Sequence, residues 1–125
     1  EFLAERLDSH DLRARLRPVS PRIRVHGHCH QKAIFGVSGV QRLLAALEGL
    51  DASIIDAGCC GMAGAFGYEH HDFSKQIGED RLFPAVRDAE SGTTIVASGF
   101  SCRHQIRDFC GVTPLHLAEA LQVEP

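Results

Sequence analysis

Lysine is scarce in this chain of 125 residues, occurring only at positions 32 and 75, and arginine supplies the remaining side-chain cations. The formal net charge is −3, which leaves no basic surface of the kind that nucleic-acid binding needs. No apolar run approaches the ~20 residues of a membrane span. The amino end, EFLAERLDSHDLRARLR, is charged and helix-like, so it does not read as a signal peptide. No internal repeat or low-complexity tract is present. No GKS or GKT follows the glycine-rich loop, its spacing is not GxGxxG, and GFSCRH lacks the GxSxG elbow. A phosphate-binding turn is therefore the weaker reading of that loop, and no hydrolytic arrangement stands out.

What is present is a globular composition, 44% apolar and 23% charged, in a length that suits one domain with a real core. Five cysteines, an odd number in a chain without secretory features, argue against a disulfide framework and for a reducing compartment. The expected location is the cytoplasm, or the periphery of the inner membrane. The chain begins at Glu1 rather than methionine, and the expectation is a piece of a larger protein.

Phe2, Leu3, Leu7, Leu12 and Leu16 are spaced near the helical period and predict one helix over 1–17, ended by Pro18 and Pro21. Residues 1–20 read as a linker helix from an upstream domain, and 21–125 as the domain itself. Three apolar, β-branched segments closed by glycine, RIRVHG, ASIIDAG and TTIVASG, predict strands over Ile23–Gly27, Ala52–Ala57 and Thr93–Ser98. Between them lie a helix over Val37–Leu50 with Ser38 as its cap, and a longer one over Asp72–Glu90 bent at Pro84. A helix opening at Ser101 follows. Gly111–Leu115 predicts a short edge strand because of Pro114, and His116–Leu121 a last helical turn. The alternation predicts an α/β fold: an open, mainly parallel sheet of about four strands, helices on both faces and right-handed crossovers.

Four of the five cysteines follow those strands: Cys29, then the neighbours Cys59 and Cys60, then Cys102. In a parallel sheet the three exits share one edge, where the ligand sites of open α/β folds form. Four thiolates are a full ligand set for iron–sulfur or for zinc. Adjacent cysteines close a disulfide poorly, and as ligands they suit two metal atoms of a cluster better than one tetrahedral zinc. Gly58, Gly61 and Gly64 let the backbone bend and offer amides to sulfur, while Cys102 at a helix start is expected to be a stabilised thiolate. His28 and His30, flanking Cys29, are expected around the site together with Gly61, Gly64 and His104. His26 shares their alternation, and for each histidine a structural role competes. His70 and His71 read as a solvated loop. Cys110 stands apart as a buried apolar residue. Taken singly, each cysteine is better explained by burial than as a ligand, and a metal-free thiol redox pair at Cys59 and Cys60 is a further alternative.

The segments HGHCHQKA, GCCGMAGAFGYE and IVASGFSCRHQI resemble the cysteine-rich CCG domain. That domain occurs in heterodisulfide reductase and in the iron–sulfur subunits of glycolate oxidase and anaerobic glycerol-3-phosphate dehydrogenase. The chain is most similar to the carboxyl-terminal part of FAD-linked oxidases of the D-lactate and D-2-hydroxyglutarate dehydrogenase-like group, through IGEDRLFPAVR and PLHLAEAL as well. The resemblance spans residues 20–122. It implies that Cys29, Cys59, Cys60 and Cys102 bind an iron–sulfur cluster, 4Fe–4S being the leading expectation and zinc the alternative. The family pattern ends in CxxC, whereas this chain has Gly99 in the first of those positions, which speaks against a five-thiolate, noncubane cluster. The parent enzyme is implied to oxidise a 2-hydroxy acid with FAD held elsewhere. FAD-binding and ferredoxin-like parts of that parent are the implied partners, with a quinone or its carrier as electron acceptor. No flavin fingerprint lies in this chain, so it is not expected to catalyse that oxidation alone.

Overall fold

The computed structural model describes residues 2–8 and 11–125. In chain order its elements are α1 (Phe2–Glu5), α2 (Leu12–Arg15), β1 (Leu16–Pro18), β2 (Arg22–His26), α3 (Cys29–Ile34), α4 (Ser38–Ala45) and β3 (Asp51–Ile54), followed by α5 (Phe66–Glu69), α6 (His71–Asp80), α7 (Leu82–Arg87), β4 (Thr94–Ala97), α8 (Phe100–Cys110) and β5 (Leu121–Val123). The main sheet has the order β3-β2-β4 with both pairings parallel. Val25 lies opposite Ile54 on one side and Val96 on the other.

Parallel strands buried on both faces read as near-continuous apolar runs, and Ile95-Val96-Ala97 is such a run, at most 3% exposed. Ile23, Val25 and Val96 pack with Val40 and Leu44 of α4. Ile95 and Ala97, of opposite parity to Val96, pack with Leu82, Phe83 and Val86 of α7 and Ile106 of α8. The helices thus cover both faces of an open sheet. Each large apolar side chain fully buried this way contributes about 1.5–3 kcal/mol relative to exposure. A third cluster, Leu7, Leu16, Leu43, Leu47 and Leu121, lies where β1 pairs antiparallel with β5. No helix among the described residues is long and apolar enough to cross a membrane.

Four sequence expectations change. The single helix over 1–17, of which residues 1, 9 and 10 lie outside the described residues, is two one-turn helices and a strand. Arg17 precedes a proline, which disfavours helical backbone there, and Leu16 gains both a strand partner in Val123 and a place in the third cluster. The helix over 72–90 is not bent at Pro84 but broken at Arg81 (φ −144°). A proline ring clashes with the carbonyl four residues earlier, here Asp80, where α6 stops. Pro84 then sits in the first turn of α7, where an amide hydrogen has no intrahelical acceptor. Ser38 begins α4 rather than capping it; Val37 is the cap and makes no side-chain hydrogen bond. Of the strand over 111–115, only Leu115 bridges Val96 in parallel, as a one-residue edge beside β4; a single turn closed by the Ala120 amide on the His116 carbonyl (3.1 Å) follows before β5. Pro114 has no amide hydrogen with which to extend the ladder.

His26 ends β2 at 1% exposure, and neither ring nitrogen has a hydrogen-bond partner among the described residues. Burial, helped by the charges of Lys32 and His28, lowers its pKa from 6.5 to about 4. Below pH 6.5 the unfolded chain binds this proton and the folded chain does not, so stability falls as pH drops from 6.5 toward 4, by up to about 3 kcal/mol. Urea midpoints of His26→Phe should change less between pH 7 and pH 4.5 than those of the parent; equal changes would remove His26 from this account.

Candidate metal centre

Three chain segments leave the carboxyl edge of the sheet side by side. After β2, His28 stands just before α3, and Cys29 is the first residue of that helix, exposed to solvent. After β3 the chain runs through an extended loop carrying Cys59, half-buried, and Cys60, buried. After β4, Ser98 and Gly99 lead into α8, whose third residue is the buried Cys102. The sequence expected a plain strand exit at Cys29; the six-residue α3 there is an addition.

The four thiols act on one another electrostatically: Cys29 on Cys59, Cys59 and Cys102 on Cys60, and Cys29, Cys59 and Cys60 on Cys102. A hydrogen bond from Cys102 is the main cause lowering the Cys60 pKa to about 7, against the opposing effect of burial. Cys102 is pushed up by its hydrogen bond with Cys60, then by burial and the neighbouring sulfur charges. Cys59 is raised, chiefly by burial, although the Gly61 amide donates to its sulfur at 3.3 Å. The helix start predicts a stabilised thiolate at Cys102, and its pKa is raised instead. A helix start favours negative charge only weakly beside the cost of burying it next to other sulfurs. Cys110 lies on the last turn of α8, half-buried, with its sulfur 3.9 Å from the Phe83 carbonyl and away from the group.

The doublet loop is held by a buried polar clamp. Gln105 of α8 donates from Nε2 to the Cys60 carbonyl (3.0 Å) and to Ser74 Oγ of α6 (2.8 Å), and Ser74 Oγ donates to the Gly61 carbonyl (2.7 Å). Gln105 and Ser74 are 3% and 1% exposed, where an unmade hydrogen bond would cost about 1–3 kcal/mol. Two cations tie down the strand exits. Lys32 Nζ donates to the Ala57 carbonyl, and the Arg103 guanidinium donates to the carbonyls of Ala97 (2.9 Å) and Ser98 (2.8 Å). None of these four residues stands out in the sequence. The available signal is position, since Lys32, Arg103 and Gln105 lie inside the same short segments as the cysteines.

The other expected site residues divide. His28 packs against Gly99, close to Cys102. His30 is exposed. His104 pairs with Asp108 (3.0 Å) and lies beside the exposed rings of Tyr68 and Phe100. His70 and His71 are exposed, as expected. Gly61 has φ +92°, and a Cβ there would sit 2.0 Å from the Ser74 carbonyl oxygen; Gly64 (φ +55°) faces open space. Among the described residues no three histidine, cysteine or acidic side chains are already drawn together as a single-ion site. A cleft of about 730 Å³ lies between the amino-terminal segment and the end of α4, and no cysteine lines it.

No protein-family model matches the chain, and no solved structure matches it. Curated proteins do. The chain is similar to parts of dehydrogenases. One subunit of the anaerobic glycerol-3-phosphate dehydrogenase of Escherichia coli is 31% identical over 73% of this chain and 23% of its own length. D-2-hydroxyglutarate dehydrogenase of Haemophilus influenzae is 28% identical over 97% of this chain and 12% of its own. Its Escherichia coli counterpart is 32% identical over 76% and 10%. The chain thus spans between about a tenth and a quarter of the length of these relatives.

Gly61→Ala should lower the melting temperature markedly, because both φ and the Ser74 backbone oppose a side chain. Gly64→Ala should cost only about 1–2 kcal/mol, the left-handed strain alone. Thermal unfolding of the two variants checks this, and equal losses would mean that the Ser74 approach does not constrain the loop.

Proposed function

We propose that this chain is an iron–sulfur electron-transfer domain of a larger, FAD-linked dehydrogenase that oxidises a 2-hydroxy acid. The observation that carries this reading is the meeting of Cys29, Cys59, Cys60 and Cys102 at one sheet edge. The similarity to parts of dehydrogenases supports the setting. The donor set fits the group: four sulfur ligands match an iron–sulfur cluster in number and softness, and the Gly61 amide already donates to one of those sulfurs. Cys29, Cys59, Cys60 and Cys102 would hold the cluster, which when bound supplies reversible one-electron transfer.

The remaining work belongs to this chain's own residues. Cys60 and Cys102 lie at 2% and 1% exposure, which keeps water from that side of the site. Gln105 and Ser74 hold the loop that carries the doublet, and Lys32 and Arg103 bring positive charge to an edge that would gather several thiolates. The FAD-binding and ferredoxin-like parts of the parent enzyme, and a quinone or its carrier as acceptor, are the partners this reading assigns. Four thiolates are also a complete tetrahedral zinc set, so a structural zinc domain is the competing reading.

Protein prepared without oxygen should be brown, absorb at about 400 nm and contain iron and labile sulfide, the mark of thiolate-bound iron. Cys60→Ser should abolish the metal, and Cys110→Ser should leave it in place. Colourless protein with stoichiometric zinc would sink the electron-transfer reading. Equal behaviour of the two variants would sink the ligand assignment.

A further inference from the structure

We propose that His28 is itself a ligand of this centre, adding an imidazole nitrogen to the thiols. The inference rests on the metal-centre reading above and concerns which of this chain's side chains complete it.

Gly99 carries the observation. A Cβ built there would lie 2.4 Å from His28 Cδ2 and 3.0 Å from Cys102 Sγ. The imidazole therefore fills the space that a side chain at position 99 would need, and ring carbon and sulfur can be no farther apart than those two lengths laid end to end. Cδ2 is bonded directly to Nε2. Nitrogen and sulfur ligands sit at about 2.0–2.1 and 2.3 Å from a metal, which puts them roughly 3.5 Å from each other around a tetrahedral ion. The ring edge that carries Cδ2 and its bonded Nε2 thus faces the same Gly99 position that Cys102 Sγ approaches.

The ring is not committed elsewhere in the way its neighbours are. His28 occupies the cap position of α3 but makes no side-chain capping hydrogen bond. Its ring is 6.3 Å from that of His30 and tilted by 45°, which is not a stack. By contrast, His104 is engaged by Asp108, His30 is exposed and His26 lies buried in the sheet. His28 and Cys29 are adjacent, as Cys59 and Cys60 are, so the first strand exit also presents two neighbouring donors. A residue larger than glycine at position 99 would displace the ring, which gives Gly99 a steric reason to be there.

Pulsed electron paramagnetic resonance on the reduced, anaerobically reconstituted protein, with histidine labelled by ¹⁵N, reads this directly. A histidine nitrogen coupling is expected in the parent and in His104→Ala, and its loss is expected in His28→Cys. His28→Cys should keep its iron, and its reduction potential should shift downward, since imidazole in place of thiolate raises potential. A cluster without histidine coupling, or coupling that survives in His28→Cys, would overturn the proposal and leave the cluster reading intact. If the protein takes up zinc and no iron, the cluster reading fails instead. Cobalt(II) loaded in place of that zinc then tests His28 alone: nitrogen coupling lost in His28→Cys supports it, and coupling absent from the parent overturns it.

Discussion

The parallel pairing of β2 with both β3 and β4 is the constraint on which the rest depends. β2 is central, and Val25 is matched to Ile54 on one side and to Val96 on the other. Because all three strands run the same way, their exits share one edge. Reversing one strand would carry its cysteine to the far edge. The pairing is in turn secured by burial on two faces: Ile23 and Val96 are fully buried against the α4 side, while Ile95 and Ala97 face α7 and α8. Hydrophobic packing thus sets the place of the thiols, and Cys60 and Cys102 themselves belong to the apolar cluster of Ile95, Ala97 and Ile106.

A second layer of control is polar. The Cys59–Cys60 loop has little regular structure, and the Gln105–Ser74 clamp draws it against α6 and α8. Gly61 allows this by coming closer to the Ser74 backbone than any side chain would permit. The break at Arg81 belongs to the same arrangement. It lets α6 present Ser74 to the loop while α7 sends Leu82 and Phe83 into the core. Gly78 of α6 lies directly over the Phe83 ring, with no room for a Cβ. Backbone chemistry at Pro84, core packing at Phe83 and loop geometry at Cys60 are therefore linked steps.

The charge state of the site also emerges from proximity. The hydrogen bond between Cys60 and Cys102 lowers the pKa of the first and raises that of the second. A helix terminus acts over one turn and with modest strength; burial among other sulfurs acts more strongly. The histidines show the same dependence on surroundings. Three that alternate along one short segment end in different settings: His26 sealed in the sheet, His28 against Gly99, and His30 in solvent.

The sequence by itself determined the three central strands, the α/β alternation, and which four cysteines stand at the strand exits. These follow from local patterns: β-branched runs closed by glycine, and spacing along the chain. The fate of residues 16–18 was not legible there, because their strand partner lies more than a hundred residues away. The break before Pro84 was legible in kind but displaced in position, since the clash acts on the carbonyl four residues earlier. Lys32, Ser74, Arg103 and Gln105 had no local signature. Each acts on a backbone group that only the folded chain brings near it. Local sequence set which donors leave the sheet together; the tertiary structure decided how their loops are held and which of the thiols and histidines are buried, because those are properties of distance and burial.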